Sequence, residues 1–130
     1  MNNKVFQQPT DAELEILRIL WENGPSTVRF VNEQLNTSRR VGYTTTLKIM
    51  QIMYDKGLVR RDEQSRSHVY SAILQKGEIQ KRLVDKILEA AFGGSASRLI
   101  MQALGNHHTS PEELDEIRKL INELEKKKEP

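Results

Sequence analysis

At Gly57 the hydrophobic pattern changes period, and few folds accommodate what lies on its two sides. Residues 43–56 have the spacing of one amphipathic helix. At about 100° per residue, Thr46, Ile49, Met50 and Met53 share one face, and Thr44, Lys48, Gln51 and Asp55 share the opposite one. The polar face is small and hydrogen-bonding, and Thr46 is assigned to the core despite its hydroxyl. Gly57 is a natural left-handed terminator. Beyond it, residues 58–61 and 68–71 look like strands, joined by a polar turn over 62–67.

Two helices are predicted upstream. Thr10 and Glu13 make a capping box, after which Leu14, Leu17 and Trp21 form an apolar stripe widened by Ile16, Ile19 and Leu20. A helix apolar on several sides needs more than one neighbour. Gly24-Pro25 ends it, and Ser26 is placed as the cap of a shorter helix with Val28, Val31 and Leu35 inside. Residues 36–42, polar and basic, read as a turn. Three helices and then a hairpin describe a winged helix-turn-helix, expected over residues 1–73.

Residues 74–130 have another character and read as an all-helical tail, so the fold class is mainly α. Ile79, Leu83, Ile87 and Leu88 mark a long amphipathic helix ending near Phe92-Gly93-Gly94. Leu99, Ile100, Ala103 and Leu104 mark a short helix that stops at Gly105. Ser110, Pro111 and Glu113 open the last helix with a second capping box. Its Leu114, Ile117, Ile121 and Leu124 are spaced 3-4-3, with Leu120 beside them. Two heptads are too few for an independent coiled coil, so the seam is expected to bury against a second copy of the chain. The final EKKKEP reads as a frayed tail.

Charge follows this layout. Residues 39–70 hold seven Lys/Arg against three Asp/Glu, a local +4, while the whole chain carries only +2. The positive charge sits on the third helix and the wing, as suits a reader of DNA better than a catalyst. With no cysteine, disulfides, thiolate metal sites and cysteine nucleophiles are excluded together. No apolar run approaches the roughly 20 residues that span a bilayer, and MNNKVFQQPTDAE has no stretch of signal-peptide type. A cytoplasmic protein without membrane attachment is expected.

Helix 43–56 is expected to enter a major groove amino end first. Thr44 and Thr45 permit close approach, and Lys48 and Gln51 reach base edges. The plainer alternative is that the threonines only open a core helix whose outer face is solvated. Arg39 and Arg40 in the turn, with Arg60, Arg61 and Arg66 around the wing, are candidate phosphate contacts; each alone is also an ordinary surface residue. Tyr43 is either a sugar-stacking or phosphate-bonding residue or a half-buried staple. Arg29 is a weaker phosphate candidate.

Other motifs carry less. His107-His108 is a poor chelate and His68 lies apart, so no metal site is expected and no cofactor is implied. Glu112, Glu113, Asp115 and Glu116 complement the dipole of the last helix. No Gly-rich phosphate loop or serine elbow is present, which argues against an enzyme.

The segments TDAELEILRILWENGPSTVRFVNEQL, YTTTLKIMQIMYDKGLVRRD and SRSHVY resemble the BlaI/MecI/CopY family of bacterial winged-helix repressors, over nearly the whole chain. The specific marks are Leu-Trp near the end of an acidic first helix, YTT opening the third, Lys-Gly-Leu-Val at its exit, and Arg-x-x-x-Tyr in the wing, which makes Arg66 the strongest phosphate candidate. The resemblance implies a homodimer that binds a palindromic operator in double-stranded DNA and pairs through its three-helix tail. Leu83, Ile87, Leu99, Ile100 and Leu104 then join Leu114, Ile117, Ile121 and Leu124 as dimerisation candidates. Two departures matter. Residues 98–104 contain no Asn-Phe bond of the kind cleaved in beta-lactam-responsive members, and the cysteine cluster of copper-responsive members is missing.

The expectation is a transcriptional repressor. Its rivals are a winged-helix module for protein assembly and a regulator responsive to a small molecule.

Overall fold

The computed structural model describes residues 7–64 and 66–128. Residues 1–6, nearly half of the segment read for a signal peptide, lie outside the described residues, as do Ser65 in the wing turn and residues 129–130 of the expected frayed end.

Helix α1 (Asp11–Asn23) opens with the Thr10–Glu13 capping box and stops at Gly24, φ +78°. Strand β1 (Ser26–Thr27) and helix α2 (Val28–Leu35) follow, then α3 (Tyr43–Asp55), the wing strands β2 (Val59–Asp62) and β3 (Val69–Ala72), and helices α4 (Lys76–Phe92), α5 (Ala96–Asn106) and α6 (Pro111–Lys127). The sheet is antiparallel in the order β1-β3-β2, with Ser26 opposite Tyr70 and Arg61 opposite Tyr70 across the other edge.

Four local expectations change. Ser26 does not cap α2: it is a strand residue whose Oγ donates to the Gly24 carbonyl, and Thr27 accepts from the Phe30 amide instead. The wing strands each lie one residue later than expected, at Val59–Asp62 and Val69–Ala72; the Leu58 amide closes α3 while its carbonyl accepts from Ile73 N at 3.1 Å. Helix α5 runs through Gly105 to Asn106. Helix α6 continues to Lys127, its last-turn lysines facing the dipole's negative end, so residues 125–127 are helical rather than frayed.

That closure of α3 is a Schellman motif. Leu58 N donates to Met53 O at 2.9 Å and Gly57 N to Tyr54 O at 3.1 Å, with Gly57 at φ +79°. Leu58 and Met53 are both buried in the same core cluster, as the apolar partners of such a cap usually are.

The core gathers Ile16, Leu17 and Leu20 of α1, Val28, Val31 and Leu35 of α2, Met50 and Met53 of α3, and Val59 and Tyr70 of the sheet. Helix α1 does have several neighbours: it touches α2, α3 and β3, and the Trp21 indole donates to Leu74 O at 3.0 Å. Ion pairs tie α1 to the end of α3 and to the turn that precedes α3. Lys56 Nζ lies 2.9 and 3.0 Å from the two oxygens of Glu13, whose side chain is almost wholly buried, and Arg39 lies 2.6 Å from Glu15.

The chain divides into two compact units, residues 1–84 and 85–130. In the first, Ile79 is buried and shares a groove with Leu14 and Trp21. In the second, no residue of α5 or α6 is buried. Among the described residues no helix is long and apolar enough to cross a membrane.

Candidate nucleic-acid interface

Helix α3 turns its buried face, Thr46, Met50 and Met53, onto the core and leaves Thr44, Thr45, Lys48 and Gln51 exposed. Its N-cap is Gly42, which makes no side-chain capping bond. The first-turn amides therefore keep their donors for an outside acceptor, the arrangement that suits a phosphate. Tyr43, the first helical residue, is 51% exposed, which leaves its ring available to a partner.

An open groove of about 260 Å³ runs beside this helix. Arg29 enters from the start of α2, Tyr43 and Gln51 from α3, and Arg66, Ser67 and His68 from the wing. The fold thus brings Tyr43, Gln51 and Arg66 together with the weaker candidate Arg29. The sequence places His68 on a wing strand and gives it no DNA-contact role; its place two residues from Arg66 is the signal that sets it at this rim. Among the described residues, no group of three or more His, Asp and Glu is arranged to hold a metal ion.

The remaining cations divide. Lys48, Arg40, Arg60 and Arg66 are exposed and form no ion pair among the described residues. Arg39 is committed to Glu15, which also holds its guanidinium charged above the ordinary value. Arg61 shares a sheet face with Val59 and Tyr70, so it turns inward. Its guanidinium sits 4.1 Å over the Tyr54 ring and its Nε donates to Glu63 at 2.7 Å. Glu63 first, then Tyr70, raises its pKa above the ordinary value.

A polar network missed in the sequence fastens the turn between α2 and α3. Asn32 Nδ2 donates to Val41 O at 3.0 Å and to Thr46 Oγ1 at 2.9 Å. Asn36 Nδ2 donates to the same Val41 carbonyl at 2.8 Å, and its Oδ1 accepts from Val41 N at 3.1 Å.

The tail candidates lie apart from this surface in sequence and differ in exposure. Ile87, Ile100, Ile121 and Leu124 are about half exposed, at 47 to 50%. Leu99, Leu104, Leu114 and Ile117 are half-buried. Leu83 belongs to the first compact unit, where it lines the groove with Leu14 and Trp21.

A helix-turn-helix backed by a small antiparallel sheet, with its third helix open on the polar side and a hairpin beside it, defines a winged-helix protein. The sequence model of the penicillinase repressor family matches residues 9–123, and the chain belongs to that family. It is 30% identical over 117 residues to a protein named transcriptional regulator BlaI of Mycobacterium tuberculosis, covering 88% of this chain and 83% of that one. It is 19% identical to the methicillin resistance regulatory protein MecI of Staphylococcus epidermidis, covering 94% and 98%. It is 21% identical to a penicillinase repressor of Bacillus licheniformis, covering 96% and 98%.

Proposed function

We propose that this chain is a transcriptional repressor, not an enzyme, that binds a palindromic operator as a homodimer in the cytoplasm. The observation that carries the reading is the open face of α3, with Thr44, Thr45, Lys48 and Gln51 exposed beside the groove that Arg29 and Arg66 flank. Helix α3 lies in the major groove, where Lys48 and Gln51 meet base edges. Arg29, Arg40, Arg60, Arg66 and Tyr43 position the domain on phosphates and sugars. Arg39 and Arg61 reach phosphate only by sharing it with Glu15 and Glu63, so they contribute less.

Residues 1–73 form the reading module and 74–130 the dimerisation module, through the apolar positions from Leu83 to Leu124. One such module makes few contacts; two on a symmetric site act at high effective concentration. A dimer seated on a promoter occludes it.

Selection of bound fragments from randomised duplexes tests the proposal. An inverted repeat is the expected product. Recovery of no preferred sequence, together with no binding to any duplex at low salt, would exclude it.

A further inference from the structure

The buried hydroxyl of Thr46 makes two hydrogen bonds, one within α3's own cap and one to α2. It is 0% exposed, its Oγ1 donates to Gly42 O at 3.4 Å, and its lone pair accepts from Asn32 Nδ2 at 2.9 Å. Asn32 belongs to α2 and Thr46 to the first turn of α3, so one amide joins the two helices of the helix-turn-helix. The second hydrogen of that amide goes to Val41 O, which Asn36 also holds.

A valine would fill the volume of Thr46 almost as well, so packing does not call for the hydroxyl. What the hydroxyl adds is direction. Apolar contacts between α2 and α3 tolerate small rotations and slides, whereas a hydrogen bond weakens steeply once its angle or length is wrong. The bond lies at the end of α3 that carries Thr44, Thr45 and Lys48. Arg29 sits three residues from Asn32 on α2 and flanks the groove. The pair therefore spans from the element that meets phosphate to the element that meets bases.

We infer that Asn32 and Thr46 are a specificity-determining positioning pair, whose hydrogen bond fixes the seating of the base-reading end of α3 against α2. The inference rests on the DNA-reading function proposed above. Neither residue touches DNA. A shift of about an ångström at Lys48 or Gln51 loses bidentate base contacts, while exposed arginines on flexible side chains still find phosphates. Loss of the pair therefore lowers discrimination and spares non-specific binding.

The test uses the full chain as wild type, Thr46→Val, Thr46→Ser and Asn32→Ala, on the duplex enriched from randomised DNA and on a shuffled duplex of equal length. Thr46→Val and Asn32→Ala are expected to reduce the ratio of the two affinities about tenfold, on the scale of losing one intramolecular hydrogen bond. Binding to the shuffled duplex and its salt dependence stay within about twofold. Thr46→Ser, which keeps the hydroxyl, restores the ratio. Equal losses on both duplexes, or an unchanged ratio, overturn the inference. Asn32 is only half-buried, so Asn32→Ala keeps the test valid should Thr46→Val fail to fold.

Amide exchange of residues 41–47 in the free protein adds an arm independent of DNA. Faster exchange in Asn32→Ala and Thr46→Val supports the fastening; unchanged exchange overturns it. If wild type prefers no duplex, the functional proposal falls, while the exchange arm still decides whether the pair fastens the helix.

Discussion

Lys48 and Arg66 are both exposed cations without an ion-pair partner among the described residues, yet their losses should look different. Lys48 projects from the exposed face of α3 proposed to meet bases, so Lys48→Ala is expected to cost about 1–3 kcal/mol on the preferred duplex and relax the preference at one base position in each half-site. Arg66 sits on the wing, so Arg66→Ala is expected to weaken all duplexes alike and to reduce the salt slope by about one counterion per protomer. Salt-titrated binding on preferred and shuffled duplexes separates the two outcomes. Glu13 works at this scale too, serving both the α1 cap and Lys56. Glu13→Gln keeps an N3 side chain able to cap but removes the charge opposite Lys56. It is expected to lower stability by about 1 kcal/mol in denaturant unfolding, since Lys56 retains partial access to water.

The elements show which signals a linear sequence carries. Helix α3 was legible because its period and its terminator agree: Thr46, Met50 and Met53 are buried where spacing put them, and Gly57 has the positive φ its position requires. Gly57→Ala is therefore expected to destabilise by about 1 kcal/mol, read as a lower unfolding midpoint, with Gly57→Asn intermediate. Strand β1 was not legible, because two residues carry no period. The inward turn of Arg61 was not legible either. It depends on the register that sets Arg61 opposite Tyr70, and that register follows from the turn rather than from local alternation. The contact between Asn32 and Thr46 joins positions fourteen apart through a turn without a repeat, so no local pattern announces it.

For the whole molecule, the two compact units differ in what they cover. The first encloses a core and exposes the polar face of α3; the second leaves Ile100, Met101, Leu120, Ile121 and Leu124 exposed along its helices. A 130-residue chain that leaves this much apolar surface uncovered in isolation is consistent with pairing. Ile121→Asp together with Leu124→Asp is expected to convert a dimer to single chains in sedimentation. The same double variant should weaken operator binding by more than 100-fold through lost effective concentration, on the order of the avidity a second site supplies. The thermal unfolding of the reading unit should change little.

The most direct test of the central claim uses the absence of cysteine. Asp55→Cys places a single thiol at the exposed carboxy-terminal end of α3, where an iron chelate that cleaves nearby DNA can be attached. On the selected duplex, the account predicts two clusters of cleavage related by the symmetry of the repeat, one in each half-site. Full binding with cleavage absent, or spread evenly along the duplex, would contradict it.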